Sequence, residues 1–252
     1  MLDTGLALPA LAALAFVVLT AFTVETALGF GATLITVALG SIFLPIDALL
    51  PAIVPLNLAL SIWLTTRYWR EVDAGFLFRR LLPLMLIGMP LGILAFRHAD
   101  PALLRRLFGG FLVIVSAVEV VRMRKAPGTG LASISRPVEV AMLIAGGMVH
   151  GAFATGGPMA VYVVGRTIAD KGRYRATLCL LWAILNTFLA LVYLRGGELG
   201  ASSLSVTAWL APSCALGLWL GELAHHRVPA AAFRNMVFVG LALVGVVLVV
   251  RG

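Results

Sequence analysis

Apolar residues gather into runs at about 6–24, 28–45, 48–66, 80–97, 106–122, 138–154, 157–168, 174–194, 204–224 and 233–250. Most reach or approach the roughly 20 residues that an α-helix needs to cross a bilayer. Charged residues fall between the runs, so the pattern predicts an all-α polytopic membrane protein with about eight crossings. The one long polar stretch is RMRKAPGTGLASISR, Arg122 to Arg136, near the middle of the chain. Glycine, proline and serine mark it as a connection between two parts.

Composition removes the alternatives. Of 252 residues, 61% are hydrophobic and 12% charged, against about 25% charged in a soluble domain. A large aqueous catalytic domain is excluded. The net charge of +8 does not point to nucleic acid, because the basic residues sit at the ends of apolar runs as loop residues of membrane proteins do. Met1-Leu2-Asp3 lacks a basic n-region, so the first run is expected to stay in the membrane. Cys179 and Cys214 lie inside apolar runs without CxxC spacing, which predicts neither a disulfide framework nor a thiolate metal site.

The two parts repeat each other. At a shift of 129, residues 83–122 align without gaps on 212–251 with 14 identities in 40, among them Pro83/Pro212, Gly88/Gly217 and Gly92/Gly221. The same shift pairs Leu56-Asn57 with Leu185-Asn186, and a shift of 125 further upstream pairs Ala27/Ala152, Gly31/Gly156 and Gly40/Gly165. The predicted division is a first transmembrane repeat over 1–122, a cytoplasmic linker over 123–136 and a second repeat over 137–252.

Charge orients the halves. The turn near 45–48 has no Lys or Arg, whereas its partner at 166–175 has Arg166, Lys171, Arg173 and Arg175. In the next loop the bias reverses: 67–80 carries Arg67, Arg70, Arg79 and Arg80, and 195–203 only Arg195. Equivalent loops on opposite sides are the mark of an inverted repeat. Loops 67–80, 122–136 and 166–175 are then cytoplasmic, and both termini external. The stretch 138–168 starts and ends on one side, which predicts a hairpin of two broken helices meeting at Thr155-Gly156-Gly157-Pro158. Its counterpart, 6–44, breaks around Glu25 to Gly31. Two tight crossings each would keep the same sidedness.

Candidate chemistry collects at these breaks. Irregular backbone at membrane depth survives only when buried in protein or facing a water-filled cavity. A helix starting there presents unpaired N–H groups and a positive dipole end, which suits an anion. Gly29, Gly31 and Thr33 in the first half and Thr155, Gly156 and Gly157 in the second are therefore candidate binding residues; packing through small residues is the alternative. Glu25 and His150 align across the repeat just before the breaks. They are a candidate proton-coupling pair, or caps of neighbouring helices. Asn57 and Asn186 line the cavity with amide donors or bond between helices. Tyr162 and Trp182 face substrate or pack. Glu119 and Arg122 form a surface pair, and Glu222, His225, His226 and Arg227 lack metal-ligand spacing.

The residues ALGFGATLITVALGSIFLP, GMVHGAFATGGPMAVYVVG and Gly172-Arg173-Tyr174-Arg175-Ala176-Thr177-Leu178 resemble the TauE/SafE family of sulfite exporter-like membrane transporters, over essentially the whole chain. The family often has a denser glycine cluster at the first break than Gly29 and Gly31 provide. The resemblance implies a bacterial cytoplasmic (inner) membrane, multi-pass transporter of small anions such as sulfite, organosulfonates or related organic acids, driven by an ion gradient. It raises Arg175 from a membrane-edge anchor to a substrate or gate residue. The expected activity is secondary transport by alternating access, with proton coupling through Glu25 and His150; the alternatives are a passive anion channel and, less favoured, an intramembrane enzyme. No cofactor or metal is expected. The expected partners are a small anionic substrate and the lipid bilayer, with a homo-oligomer admitted and nucleic acid excluded.

Overall fold

The computed structural model describes residues 8–124 and 135–227, with Val246, Val249 and Val250. The apolar run at 233–250 therefore lies almost wholly outside the described residues, as do most of the linker and the side chains of Glu119, Arg122, His226 and Arg227. The described residues are helical with no strand: α1 (Leu8–Leu28), α2 (Ala32–Gly40), α3 (Ile46–Tyr68), α4 (Ala74–Phe76), α5 (Leu82–His98), α6 (Pro101–Arg124), α7 (Arg136–Phe153), α8 (Gly157–Thr167), α9 (Lys171–Gly196) and α10 (Ala201–Arg227). A π-helical turn, Leu77–Leu81, joins α4 to α5, so Ala74–His98 is one rod. Among the described residues, five helical segments are long and apolar enough to cross a membrane: Leu8–Leu28, Ile46–Glu71, Ala74–His98, Lys171–Gly196 and Ala201–His225. This is an all-α, multi-pass membrane protein.

Local chemistry sets the helix ends. The Asp170 carboxylate accepts from the Arg173 N–H at 2.8 Å to start α9, and Asp73 accepts from the Phe76 N–H at 3.0 Å to start α4. At its far end α9 stops at Gly197, whose φ of 81° is a left-handed cap. Large apolar side chains such as Phe16, Ile87, Leu107, Ile114, Leu194 and Trp219 stay exposed. On a soluble monomer a surface this apolar would be a liability; lipid covers it here.

Both predicted breaks are present. The first lies at Gly29–Gly31, and Glu25 stays in the last turn of α1. The second lies at Ala154–Gly156, with Pro158 in the first turn of α8, where its missing N–H has no intrahelical bond to lose. Helices α2 and α8 have 9 and 11 residues. At about 1.5 Å per residue each spans roughly half of the ~30 Å hydrocarbon core, so neither is a full crossing.

Helix pairing exchanges when the halves are exchanged. Helix α1 packs on α10, α5 packs on α7, and α3 packs on α9. Gly88 of α5 sits against the carbonyl of Ile144 and Gly92 against that of Met148; Gly217 of α10 sits against the carbonyl of Leu19 and Gly221 against that of Thr23. A Cβ at any of these glycines would meet backbone, which is why the repeated positions are glycine. Helices α3 and α9 run in opposite directions, since Asn57 meets Asn186 and Tyr68 meets Arg175.

At one end, Asp73 pairs with Arg173 at 3.3 Å and Arg80 with Glu139 at 2.8 Å, which brings the basic segments 67–80 and 166–175 and the start of α7 together. At the opposite end, Arg97 pairs with Glu198 at 3.1 Å.

Candidate functional site

The two breaks meet against the middle of α3 and α9, at Asn57 and Asn186. The backbone at the first turns through Gly29 and Gly31, with φ of 86° and 119°. A side chain at either would be strained, and a Cβ at Gly29 would also lie 3.2 Å from the Arg175 Cα. The aligned residue of the second break is Ala154, which adopts the same left-handed region with φ of 52° despite its Cβ. Non-glycine residues held there mark over-determined backbone.

Between the breaks lies a cavity of about 20 Å³ lined by Glu25, Phe30, Gly31, Thr33, Leu34, Asn57, His150, Ala154, Thr155, Gly157, Pro158, Trp182 and Asn186. That is room for about one water-sized group. Its polar side chains form a chain of bonds. The Glu25 carboxylate accepts from the first N–H of α2, that of Ala32, at 2.6 Å, and from Asn57 Nδ2 at 3.2 and 3.3 Å. Asn57 Nδ2 also donates to Thr33 Oγ1 at 3.0 Å. The Asn57 carbonyl accepts from Ser61 Oγ at 3.2 Å and from Asn186 Nδ2 at 2.8 Å. On the other side the Gly156 N–H donates to His150 Nδ1 at 3.5 Å. The indole of Trp182 stacks on His150, with centroids 5.7 Å apart, and donates to the Gly29 carbonyl at 2.9 Å. Among the described residues, His150 Nε2 and Asn186 Oδ1 are buried without a protein partner.

Wider clefts flank this cavity. Toward the basic end a crevice of about 990 Å³ is lined in part by Tyr162, Arg166, Lys171, Tyr174, Arg175 and His225. Toward the other end a cleft of about 300 Å³ is lined in part by Asp47, Arg97, Gly151, Tyr193 and Glu198. Phe30 and Pro158 line both the cavity and the larger crevice, so they form the partition between them.

Beside that partition, the second half holds the carboxyl end of α1. Arg175 donates to the Thr26 carbonyl at 3.2 Å, His225 Nδ1 lies 2.7 Å from the Ala27 carbonyl, and Trp182 takes that of Gly29. The Thr26 and Ala27 carbonyls are among those a helix leaves unpaired at its negative end, where a cation is favoured. Arg175 also pairs with Glu222 at 2.7 Å and stacks on Tyr68, whose hydroxyl donates to Glu222 at 2.5 Å. One buried arginine thus ties α1, α3 and α10 to α9.

The structure places the sequence-predicted residues in two groups. Glu25, Gly31, Thr33, Asn57, His150, Thr155, Gly157 and Asn186 share the cavity, with Gly29 and Gly156 in the adjoining breaks. Tyr162 and Arg175 lie apart in the crevice, Tyr162 accepting a bond from Arg166 at 2.6 Å. Glu25 caps α2, and Asn57 and Asn186 bond between helices while lining the cavity. Sequence reasoning passed over Phe30, Tyr68 and the Glu222–Arg175 pair. Phe30 had a signal, a bulky ring between the two break glycines; Tyr68 and Glu222 are 154 residues apart and had none. Among the described residues no cluster of His, Cys, Asp and Glu is placed to hold a metal.

No curated protein and no solved structure matches this chain. The sequence profile of the family described as sulfite exporter TauE/SafE matches residues 13–248. That family is one of transporters, not of enzymes, and implies a small anionic substrate. The match spans nearly the whole chain, and the chain is a member of the sulfite exporter TauE/SafE family.

Proposed function

We propose that the protein is a secondary transporter of the bacterial cytoplasmic membrane that moves a small oxyanion, a sulfite, organosulfonate or related organic acid, by alternating access, with proton coupling through Glu25 and His150. The observation that carries this reading is the convergence of two broken helices on one buried polar cavity. Discontinuous helices at a repeat interface are how many secondary transporters build their sites. Antiparallel α3 and α9, and the exchanged glycine contacts, support two inverted repeats over 1–122 and 137–252 joined by a cytoplasmic linker. The basic end is then cytoplasmic.

The cavity holds about one water-sized group and stands between two wider clefts, a geometry that favours a moving gate over an open channel. An anion enters when Phe30 and Pro158 separate. The start of α8, His150, Thr155 and Asn186 then surround it. Arg175 acts in this reading as a gate residue: its bonds to Thr26 and Glu222 hold the crevice side shut. Tyr162 lines the approach.

Electrogenic flux on a solid-supported membrane tests the proposal, using sulfite, sulfate, thiosulfate, taurine, sulfoacetate and lactate with and without a pH gradient, backed by radiolabel counterflow. A saturable signal for one anion, lost in Gly156→Leu, is the expected result. Silence in both assays would overturn it.

A further inference from the structure

The bonds across the cavity fix more than position; they fix which atoms face the ligand. Three observations combine. Glu25 accepts from Ala32 N and from Asn57 Nδ2, so the Asn57 amide must turn its nitrogen to the carboxylate and its carbonyl to α9. That carbonyl accepts from Asn186 Nδ2 at 2.8 Å, so Asn186 in turn presents its own carbonyl to the cavity. Asn186 is 1% exposed, and its Oδ1 has no protein partner among the described residues. The carboxylate on one half thus dictates an acceptor on the other, through two amides that the repeat places opposite each other. His150, also 1% exposed, contributes the complement. Its Nδ1 faces the Gly156 N–H at 3.5 Å, an arrangement that favours the tautomer with the proton on Nε2, a second atom without a protein partner among the described residues. Beside the start of α8 the cavity therefore holds a buried donor and a buried acceptor that no protein group takes among the described residues.

We infer that this site selects oxyanions that carry a hydrogen-bond donor of their own: a protonated oxyanion, or a sulfonate bearing an adjacent N–H or O–H. The inference rests on the anion-transport reading and deepens it. The anion's oxygens meet His150 Nε2–H and the positive end of α8, and its donor meets Asn186 Oδ1. An anion with acceptors only sets its lone pairs against those of Asn186, and a site built to bond a polar group discriminates strongly against an analogue that lacks it. The relay also has a switch. In Glu25→Gln the glutamine carbonyl must keep the Ala32 N–H, so its amide nitrogen faces Asn57. Asn57 then turns over, Asn186 turns with it, and the cavity receives an N–H where it had a carbonyl. The hydroxyls of Thr33 and Ser61, which donate and accept, follow either arrangement.

Sulfamate and methanesulfonate test this, being nearly the same size and both singly charged near neutral pH, with an N–H₂ replacing a methyl. Each competes against radiolabelled sulfite counterflow in proteoliposomes of the full-length protein. In the wild type, sulfamate is expected to compete about tenfold better or more. In Asn186→Leu the ratio falls to about one, and in Glu25→Gln methanesulfonate becomes the better competitor. The Asn186→Leu ratio carries the test if Glu25→Gln does not fold. Equal competition in the wild type, or an unchanged ratio in both variants, overturns the inference while leaving anion transport standing. Absence of any sulfite counterflow overturns the transport reading and this inference with it.

Discussion

The two halves bring the same backbone to the cavity with different chemistry. Each sends in a helix that ends in a left-handed residue, Gly29 in one and Ala154 in the other, and restarts as a short helix. In the first half the new helix meets Glu25, a carboxylate of the chain itself. In the second the aligned residue is His150, whose outer nitrogen has no protein partner among the described residues. One half-site thus contains its own anion and the other offers room for a foreign one. The scaffold is symmetric and the site is not. The difference fits the proposed division of labour, in which the second half binds the anion and the first half sets the polarity of the cavity.

The halves also differ in how their breaks are held. Each is closed by the same backbone bond, Gly29 N–H to the Glu25 carbonyl at 2.6 Å and Ala154 N–H to the His150 carbonyl at 2.7 Å, but the end of α1 is held in addition by Arg175 and His225 from the other half. Glu222→Ala is therefore the most disruptive change expected. It leaves Arg175 buried without its carboxylate, a loss of about 3–5 kcal/mol, visible as a fall in thermal unfolding temperature in detergent.

Next come the glycine contacts. Gly88→Leu and Gly217→Leu each force a side chain into a neighbouring helix backbone, and overpacking of this kind costs about 1–3 kcal/mol or more. A Cβ at Gly217 would lie 2.7 Å from the Leu19 carbonyl, while one at Gly88 would lie closer still to that of Ile144. The loss should be larger at Gly88, and equal losses would count against the tighter α5–α7 crossing.

The smallest effects belong to the break residues. Gly29→Ala is expected to destabilise by about 1–2 kcal/mol, with added pressure on the Arg175 backbone. Ala154→Gly should stabilise by up to about 1 kcal/mol, because it relieves a left-handed alanine. Opposite signs in the same unfolding assay would show that the two positions share one conformation.

Much of this was legible in the sequence because membrane-protein constraints act on composition. Glycines that touch backbone, at 88, 92, 217 and 221, cannot be replaced cheaply, so they mark the repeat. Asn57 and Asn186 stand out against apolar runs, and they meet at the centre. The first break falls at Gly29–Gly31, the end of the predicted range Glu25 to Gly31, because the backbone of Glu25 remains helical and only its side chain serves the next helix. The Arg175 network was not legible: Tyr68, Arg175 and Glu222 come from three distant helices, and periodicity within one segment carries no information about which helix packs on which. The direction of the Asn57 and Asn186 amides was equally hidden, since it follows from a bond to Glu25 that only the packed structure supplies.

The proposed part of Glu25 in proton coupling meets its most direct test in paired flux measurements on wild type and Glu25→Gln in proteoliposomes. Radiolabelled sulfite is followed once as accumulation driven by an imposed pH gradient and once as exchange at equilibrium. Glu25→Gln is expected to lose accumulation and to retain exchange at a reduced rate. Equal loss of both, with the protein folded, would contradict it and return Glu25 to the role of a helix cap.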